Sequence, residues 1–232
     1  MHEINLHGKN VSVEAGPLSE NDFSAALKSR YFQDWCETID PAITVSRIIF
    51  QGLDWFGQRV GFLKLQVFAK DPQGNDLPGI IFMRGGGVII LPILDTADGR
   101  FVICVRQARL PIGSLDSLEL PAGMLDGDGN FSGVAAKELR EETGIDIAAD
   151  ELVDLTELAY AAAGAAAAPR FRGVFVTPGG SDEFIRVLAP SSAPPHARGL
   201  RATHRSRARE RAANKNLRIP RSDRCLESET FR

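Results

Sequence analysis

The segment from Glu119 to Ile145 reads ELPAGMLDGDGNFSGVAAKELREETGI and places Glu138, Glu141 and Glu142 within five consecutive positions. On a helix Glu138 and Glu142 stand one turn apart, where like charges repel by a few tenths of a kcal/mol. A hard divalent cation answers that repulsion. Magnesium prefers oxygen ligands, keeps several waters and is usually held by one or two carboxylates together with substrate phosphates; manganese is the alternative ion. The same residues would also suit a solvated surface helix, with Lys137 and Arg140 balancing the glutamates. What precedes them favours a site. ELPAGMLDGDG supplies a short apolar strand and a small-residue turn, so the backbone at Ala122 and Gly123 can approach the carboxylates and leave room for a diphosphate.

The elements that must hold these groups follow from capping and periodicity. Asn130 or Ser132 can cap a helix from about Gly133 to Thr143, and Gly144 suits the left-handed position that ends it. Ala135, Ala136, Leu139 and Thr143 then share one side, with the glutamates beside them. Upstream, SENDFSAALKSRYFQDWC repeats Phe23, Leu27, Tyr31 and Trp35 at steps of four and predicts an amphipathic helix over 19–36. β-Branched and aromatic runs follow: ITVSRIIFQGLDWFG, RVGFLKLQVFAK, IIFMRGGGVIILPILD and RFVICVRQARL. They predict strands of a largely buried sheet, divided by the turn cluster DPQGNDLPG. Beyond the acidic helix, DELVDLTELAY predicts a capped turn, AAAGAAAA before Pro169 a loop or frayed helical turn, and the stretch to Pro190 one or two short strands.

Composition bounds the rest. The 232 residues, 44% of them hydrophobic, suffice for one large or two small cores. Three cysteines (Cys36, Cys104, Cys225) in no CxxC spacing suggest neither a disulfide framework nor structural zinc, and a reducing compartment is expected. Cys104, inside FVICV, reads as a small core residue. The histidines (His2, His7, His196, His204) lie near the ends and predict no cluster. Trp35, Trp55 and Phe56 read as core or interface. No membrane helix and no signal peptide are expected, since no apolar run reaches about 18 residues. The net charge of -3 conceals an asymmetry: before Pro190 the chain has 16 Lys and Arg against 26 Asp and Glu, and from Pro190 onward 11 against 4. The acidic body argues against nucleic-acid binding, which needs clustered basic residues. The arginine-rich remainder, 190–232, reads as disordered.

The glutamate segment resembles the Nudix box. In that motif a glycine is followed after five residues by Glu, then after seven by Arg-Glu-apolar-any-Glu-Glu-any-Gly-apolar. Gly123, Glu138, Leu139, Glu141, Glu142, Gly144 and Ile145 fall in register; Gly129 stands in the place of the first Glu and Lys137 in that of Arg. Further stretches (IIFQGLDWFGQRVGFLK, PGIIFMRGGGVIILPIL, VRQARLPIGSLDSLELPAGMLD and VTPGGSDE) resemble the plant-type ADP-sugar diphosphatases, over roughly 10–188. That resemblance implies an α/β fold, a Nudix α/β/α sandwich with an N-terminal β subdomain. The expected division is 1–77 for an N-terminal helix and dimer-forming β subdomain, 78–189 for a Nudix domain, with truncation as an alternative, and 190–232 for the tail. It implies magnesium-dependent cleavage of a nucleotide sugar, ADP-glucose before ADP-ribose, to AMP and a sugar 1-phosphate. A homodimer in the cytoplasm or a plastid is the expected setting.

By position, the resemblance implies that the Ala122 carbonyl, Glu138 and Glu142 bind metal and that Glu141 shares or orients that shell. It makes Glu141, Glu142 and Glu183 the catalytic candidates, and Arg109 the group reaching the phosphates or terminal sugar. Arginine's fork offers paired donors to phosphate oxygens. Arg84 and Glu119 are further substrate-contact candidates. RGGG lacks the Lys-Ser/Thr of a phosphate loop. Glu183 matches two places of the family pattern, and the strand and final helix expected after it are not supplied. Weakened turnover is therefore a second expectation, with a nucleotide-binding protein of low activity as its limit.

Overall fold

A computed structural model describes residues 2–96, 99–125, 130–163 and 173–191. Gly129, most of the alanine run and nearly all of the arginine-rich segment, with the disorder expected of it, lie outside the described residues. The chain divides into two compact units, Met1–Gly86 with Val174–Phe184, and Gly87–Gly173 with Ile185–Arg232.

The first unit is built on a mixed sheet. Strands β1 (His2–Leu6) and β2 (Lys9–Glu14) form a hairpin that the sequence reading does not anticipate. His7 and Gly8 turn it, both at positive φ (50° and 84°), as a two-residue hairpin with right-handed twist requires. Strand β3 (Thr44–Phe56) lies parallel to β2 and antiparallel to β4 (Arg59–Lys70). β5 (Asp76–Leu77) and β6 (Ile80–Met83) both pair with β4. Alternation along β4 decides which face is buried: Leu63, Leu65 and Val67 are inside while Lys64 and Phe68 face outward.

The helix expected over 19–36 is two helices, α1 (Glu20–Lys28) and α2 (Arg30–Thr38). Ser29 breaks it, with extended backbone at ψ 141°. Its hydroxyl donates to the Ala26 carbonyl at 2.8 Å and accepts the Phe32 N–H at 3.3 Å, so one side chain ends one helix and caps the next. Serine's local bonding offers the backbone an alternative to the helix, and here it outweighs the four-residue apolar spacing. Phe32 of α2 and Phe50 of β3, both fully buried, pack ring to ring at 5.2 Å, and Phe23 meets Phe50 edge-on at 5.7 Å. Burying one such ring is worth about 1.5–3 kcal/mol.

The second unit has more interrupted strands. β7 (Gly86–Ile90), β8 (Ile93–Thr96), β9 (Gly99–Val102) and β10 (Val105–Arg109) replace the two long runs expected there. β8 and β9 form a hairpin, and β10 pairs with β11 (Ser114–Glu119). β12 (Ala122–Met124), the short apolar strand before the acidic helix, lies against β7. The sheet order is β12-β7-β15-β13, with β13 (Leu152–Asp154) antiparallel to β15 (Phe184–Pro190). A two-residue strand β14 (Val174–Phe175), in the segment that belongs to the first unit, precedes β15 in the chain. β7 is almost wholly buried, as its uninterrupted apolar sequence predicts. Cys104 is buried, as expected of a core residue.

Helix α3 (Phe131–Thr143) is the helix expected from the sequence. Asn130 Oδ1 accepts the Gly133 N–H at 2.9 Å, and Gly144 closes the helix at φ 75°. The stretch read as a capped turn instead carries a full helix, α4 (Leu155–Ala162), with Asp154 Oδ1 accepting from Glu157 N–H at 2.9 Å. Leucine and alanine lose little freedom in a helix, so a single good cap suffices to extend the turn. The described residues thus form an α/β protein with mixed sheets and four α-helices.

Candidate functional site

Helix α3 is held by its apolar side: Ala135 and Leu139 are fully buried. That anchoring sets the glutamates. Glu138 and Glu142 are half-buried, one turn apart, while Glu141 is exposed. Both half-buried carboxylates lie along the backbone of β12. Glu142 Oε2 accepts the Ala122 N–H at 3.2 Å. The Glu138 carboxyl group occupies the place where a Cβ on Gly123 would stand, so only glycine lets strand and carboxylate come this close. Of the four expected metal-binding residues, Ala122, Glu138 and Glu142 come together, and Glu141 faces away.

Arg109 and Glu119 close the ends of the β10–β11 hairpin. A register shift between Gln107 and Arg109 re-aims the arginine, Gln107 standing opposite Ser117 and Arg109 opposite Ser114. Leu110–Ile112 then turn as a short 3-10 helix that Gly113 ends at φ 64°. Arg109 Nε lies 2.9 Å from both Glu119 oxygens, and its Nη2 donates to Glu119 Oε2 at 2.7 Å. Gln107 Nε2 donates to the same Oε2 at 3.1 Å, and Ser117 adds a side-chain bond. Partial burial pushes the Glu119 carboxyl upward, yet the bonds from Arg109 and Ser117 and the arginine's charge outweigh it and hold it below the usual range. Arg109 is raised, first by its bonds to Glu119; burial opposes, and the charges of Glu119 and Glu142 add. Arg109 thus feels the charge of a glutamate on α3 as well as its own partner.

Arg84 and Glu183 belong to the first unit, where Arg84 Nε and Glu183 Oε1 are 3.3 Å apart. Beside them Asp182, which sequence reasoning did not single out, accepts the N–H groups of Arg84 at 2.8 Å and Gly85 at 3.2 Å. Burial pushes its carboxyl above the usual range, against those two bonds. Gln107 and Ser117 were also missed. Their signal was the spacing Gln-x-Arg and Ser-x-Glu on two strands of one hairpin, legible only once the register is known.

Among the described residues no group of three or more His, Cys, Asp and Glu gathers to hold a metal ion. Two carboxylates on one helical turn, set against a strand backbone that lacks a Cβ, still fit a hard cation that completes its shell with water and substrate phosphate oxygens. His7 Nε2 bonds the Ile39 carbonyl at 2.9 Å in the first unit; His196 and His204 lie outside the described residues. Among the described residues, no helix is long and apolar enough to cross a membrane.

Comparison with known proteins agrees with the motif and its placement. The NUDIX domain family matches residues 83–196. Nudix hydrolase 14, chloroplastic, of Arabidopsis thaliana is 38% identical over 189 residues, 77% of this chain and 58% of that protein. An uncharacterized Nudix hydrolase of Schizosaccharomyces pombe is 42% identical over 57 residues, 25% of this chain and 27% of its own. The chain thus spans little more than half of the first relative's length. A crystal structure of an ADP compounds hydrolase aligns with 63% of this chain and 68% of its own at TM-score 0.41 and 16% identity, too loosely to argue from. The chain thus carries a NUDIX domain match over residues 83–196 and is similar to Nudix hydrolases over a longer span.

Proposed function

We propose that the chain hydrolyses the diphosphate bond of an ADP-sugar, ADP-glucose first, with magnesium or manganese, giving AMP and a sugar 1-phosphate. The observation that carries this reading is the seating of Glu138 on the Gly123 backbone, with Glu142 bonded to Ala122 one turn on. The glycine has no other evident use at that point: its missing Cβ is what brings carboxylate and strand together.

Glu138, Glu142 and the Ala122 carbonyl would hold the divalent ion, and Glu141 is proposed to orient waters at its margin. When bound, such an ion supplies neutralisation of diphosphate charge and an acidified water. Arg109 grips phosphate oxygens, which fixes the bond to be cut relative to α3. Glu142, already bonded to Ala122, keeps the strand and helix at one spacing while the substrate is bound. Glu183 orients the attacking water and Arg84 contacts substrate; both roles rest on the family resemblance, since in the first unit these residues pair with each other. Water adds to one phosphorus, the bridging oxygen leaves with the other phosphate, and no oxidant or second substrate is needed.

A homodimer formed through the first unit is part of the proposal. Trp55, Phe56, Phe68, Ile80 and Phe82 are exposed there and offer apolar surface to a second copy. Sedimentation of a monomer at micromolar concentration would count against it.

A second reading, a Nudix protein that binds nucleotide with little turnover, is favoured by Lys137. Its exposed ammonium stands where the family has the planar fork of an arginine, and the two are not interchangeable. Turnover of ADP-glucose and ADP-ribose by the purified chain with magnesium decides among these readings. The expected result is ADP-glucose hydrolysis lowered by Glu142→Gln by about 100-fold or more, beyond the usual effect of losing a group that merely orients a metal ligand. Faster ADP-ribose cleavage would reassign the sugar. Tight nucleotide binding without cleavage would establish the second reading.

A further inference from the structure

The carboxylate of Glu119 is already engaged on both oxygens. A carboxylate offers about four acceptor positions. Glu119 meets Arg109 Nε, Arg109 Nη2, Gln107 Nε2 and the Ser117 side chain. Its Oε2 takes three of those donors, Arg109 Nε and Nη2 and Gln107 Nε2, which leaves little of the carboxylate for a sugar hydroxyl. Arg109 is in the opposite condition. Glu119 takes only the Nε–Nη2 edge of the guanidinium; Nη1, with the second Nη2 hydrogen, makes no bond among the described residues, and the side chain is 43% exposed. That free edge has the paired-donor geometry that suits two phosphate oxygens. The backbone contributes too, because the register shift before Arg109 and the turn at Gly113 fix where the arginine leaves the strand.

We infer that Glu119 is a positioning residue acting through Arg109, not a substrate contact, and that Gln107 and Ser117 hold it in place. The chain is therefore Gln107 and Ser117 to Glu119, Glu119 to one edge of Arg109, and the other edge of Arg109 to the diphosphate. The inference rests on the diphosphatase reading for the identity of the anion. Its internal part, one arginine edge held so that the other can be presented, is geometry. Arginine carries a large rotamer entropy that is lost on binding. A carboxylate that fixes the guanidinium beforehand removes part of that loss, at the expense of some positive charge at the site.

A double-mutant cycle tests this. The probe is the non-hydrolysable α,β-methylene analogue of ADP-glucose with magnesium, and its equilibrium affinity is measured alongside KM and kcat for ADP-glucose. Arg109→Ala and Glu119→Gln are each expected to weaken affinity about tenfold or more, as loss of a charge-assisted bond does. The double variant should be no weaker than Arg109→Ala alone. KM should rise more than kcat falls. Gln107→Leu should give a smaller loss, about threefold, that vanishes in the Arg109→Ala background; it carries the same test if Glu119→Gln fails to fold. In the unaltered chain the Arg109 Nε–H proton should exchange slowly by NMR, and Glu119→Gln should speed it. Additive losses in the cycle would overturn the inference, as they would mean that Glu119 touches the ligand itself. No affinity for the analogue in the unaltered chain would overturn it as well. Affinity without turnover would sink only the hydrolase reading and leave this one standing.

Discussion

The two units treat half-buried carboxylates in opposite ways. In the first, Asp182 is half-buried and answered by two backbone N–H groups, and Phe32 and Phe50 at the centre of the aromatic cluster are fully buried. In the second, Glu138 and Glu142 carry like charges one turn apart, and both are pressed against the backbone of one short strand. A unit optimised only to be stable would not keep that pair. On the proposed reading the contrast separates two roles: the first unit's interior serves stability, while the second sets two like charges where a bound cation and a phosphate would sit. Substitutions in the aromatic core of the first unit and along α3 and β12 of the second should therefore separate stability from turnover.

The largest expected effect is in the first unit. Phe50→Ala removes a ring that touches both Phe23 and Phe32, and leaves a cavity that two helices and a strand cannot readily close. A loss of about 3–5 kcal/mol is expected in urea unfolding. Because the site lies on other residues, molecules that remain folded should bind the ADP-glucose analogue with unchanged affinity. A weakened affinity would show that the two kinds of role are not separable by unit.

Gly123→Ala makes the converse test in the second unit. The new methyl group would collide with the Glu138 side chain, which can swing away on its own rotatable bonds, so the expected cost in stability is about 1–3 kcal/mol, the usual range for overpacking. Turnover should fall far more, by about 100-fold, since a displacement near 1 Å of a group fixing the reacting bond has that effect. Equal losses in melting and in rate would show that Gly123 serves packing alone.

Much of this division could be read from the sequence, for a physical reason. Groups whose partners are near in the chain were legible: Asn130 and Gly144 bounding α3, the alternation of β4, and the approach of the Gly123 backbone to the glutamates of the helix that follows it. The hairpin at His7 and Gly8 was not, because a histidine at positive φ carries no strong signal. Neither was the break at Ser29, where one hydroxyl outweighs an apolar periodicity extending through it. The ring of donors around Glu119 depends on strand register and a bulge, and Asp182 reaches Arg84 across 98 positions. Such contacts are set by tertiary structure, and no local spacing encodes them.

The smallest effect expected is a pH dependence in the first unit. Burial raises the Asp182 carboxyl above its ordinary value of 3.8, so the folded chain holds this proton more tightly than the unfolded chain does. Where the folded state binds more protons, stability falls as pH rises. The contribution of Asp182 is therefore most favourable below about 3.8 and is progressively lost as pH rises through the folded value. Asp182→Asn keeps an oxygen that can accept the Arg84 and Gly85 N–H groups but removes the titration. Unfolding of the two forms by urea between pH 4 and pH 7 should show the asparagine form gaining on the original as pH rises. The opposite trend would mean that the two backbone bonds outweigh burial and that Asp182 stabilises the first unit as an anion. That would weaken the contrast with Glu138 and Glu142, since both units would then draw on half-buried negative charge.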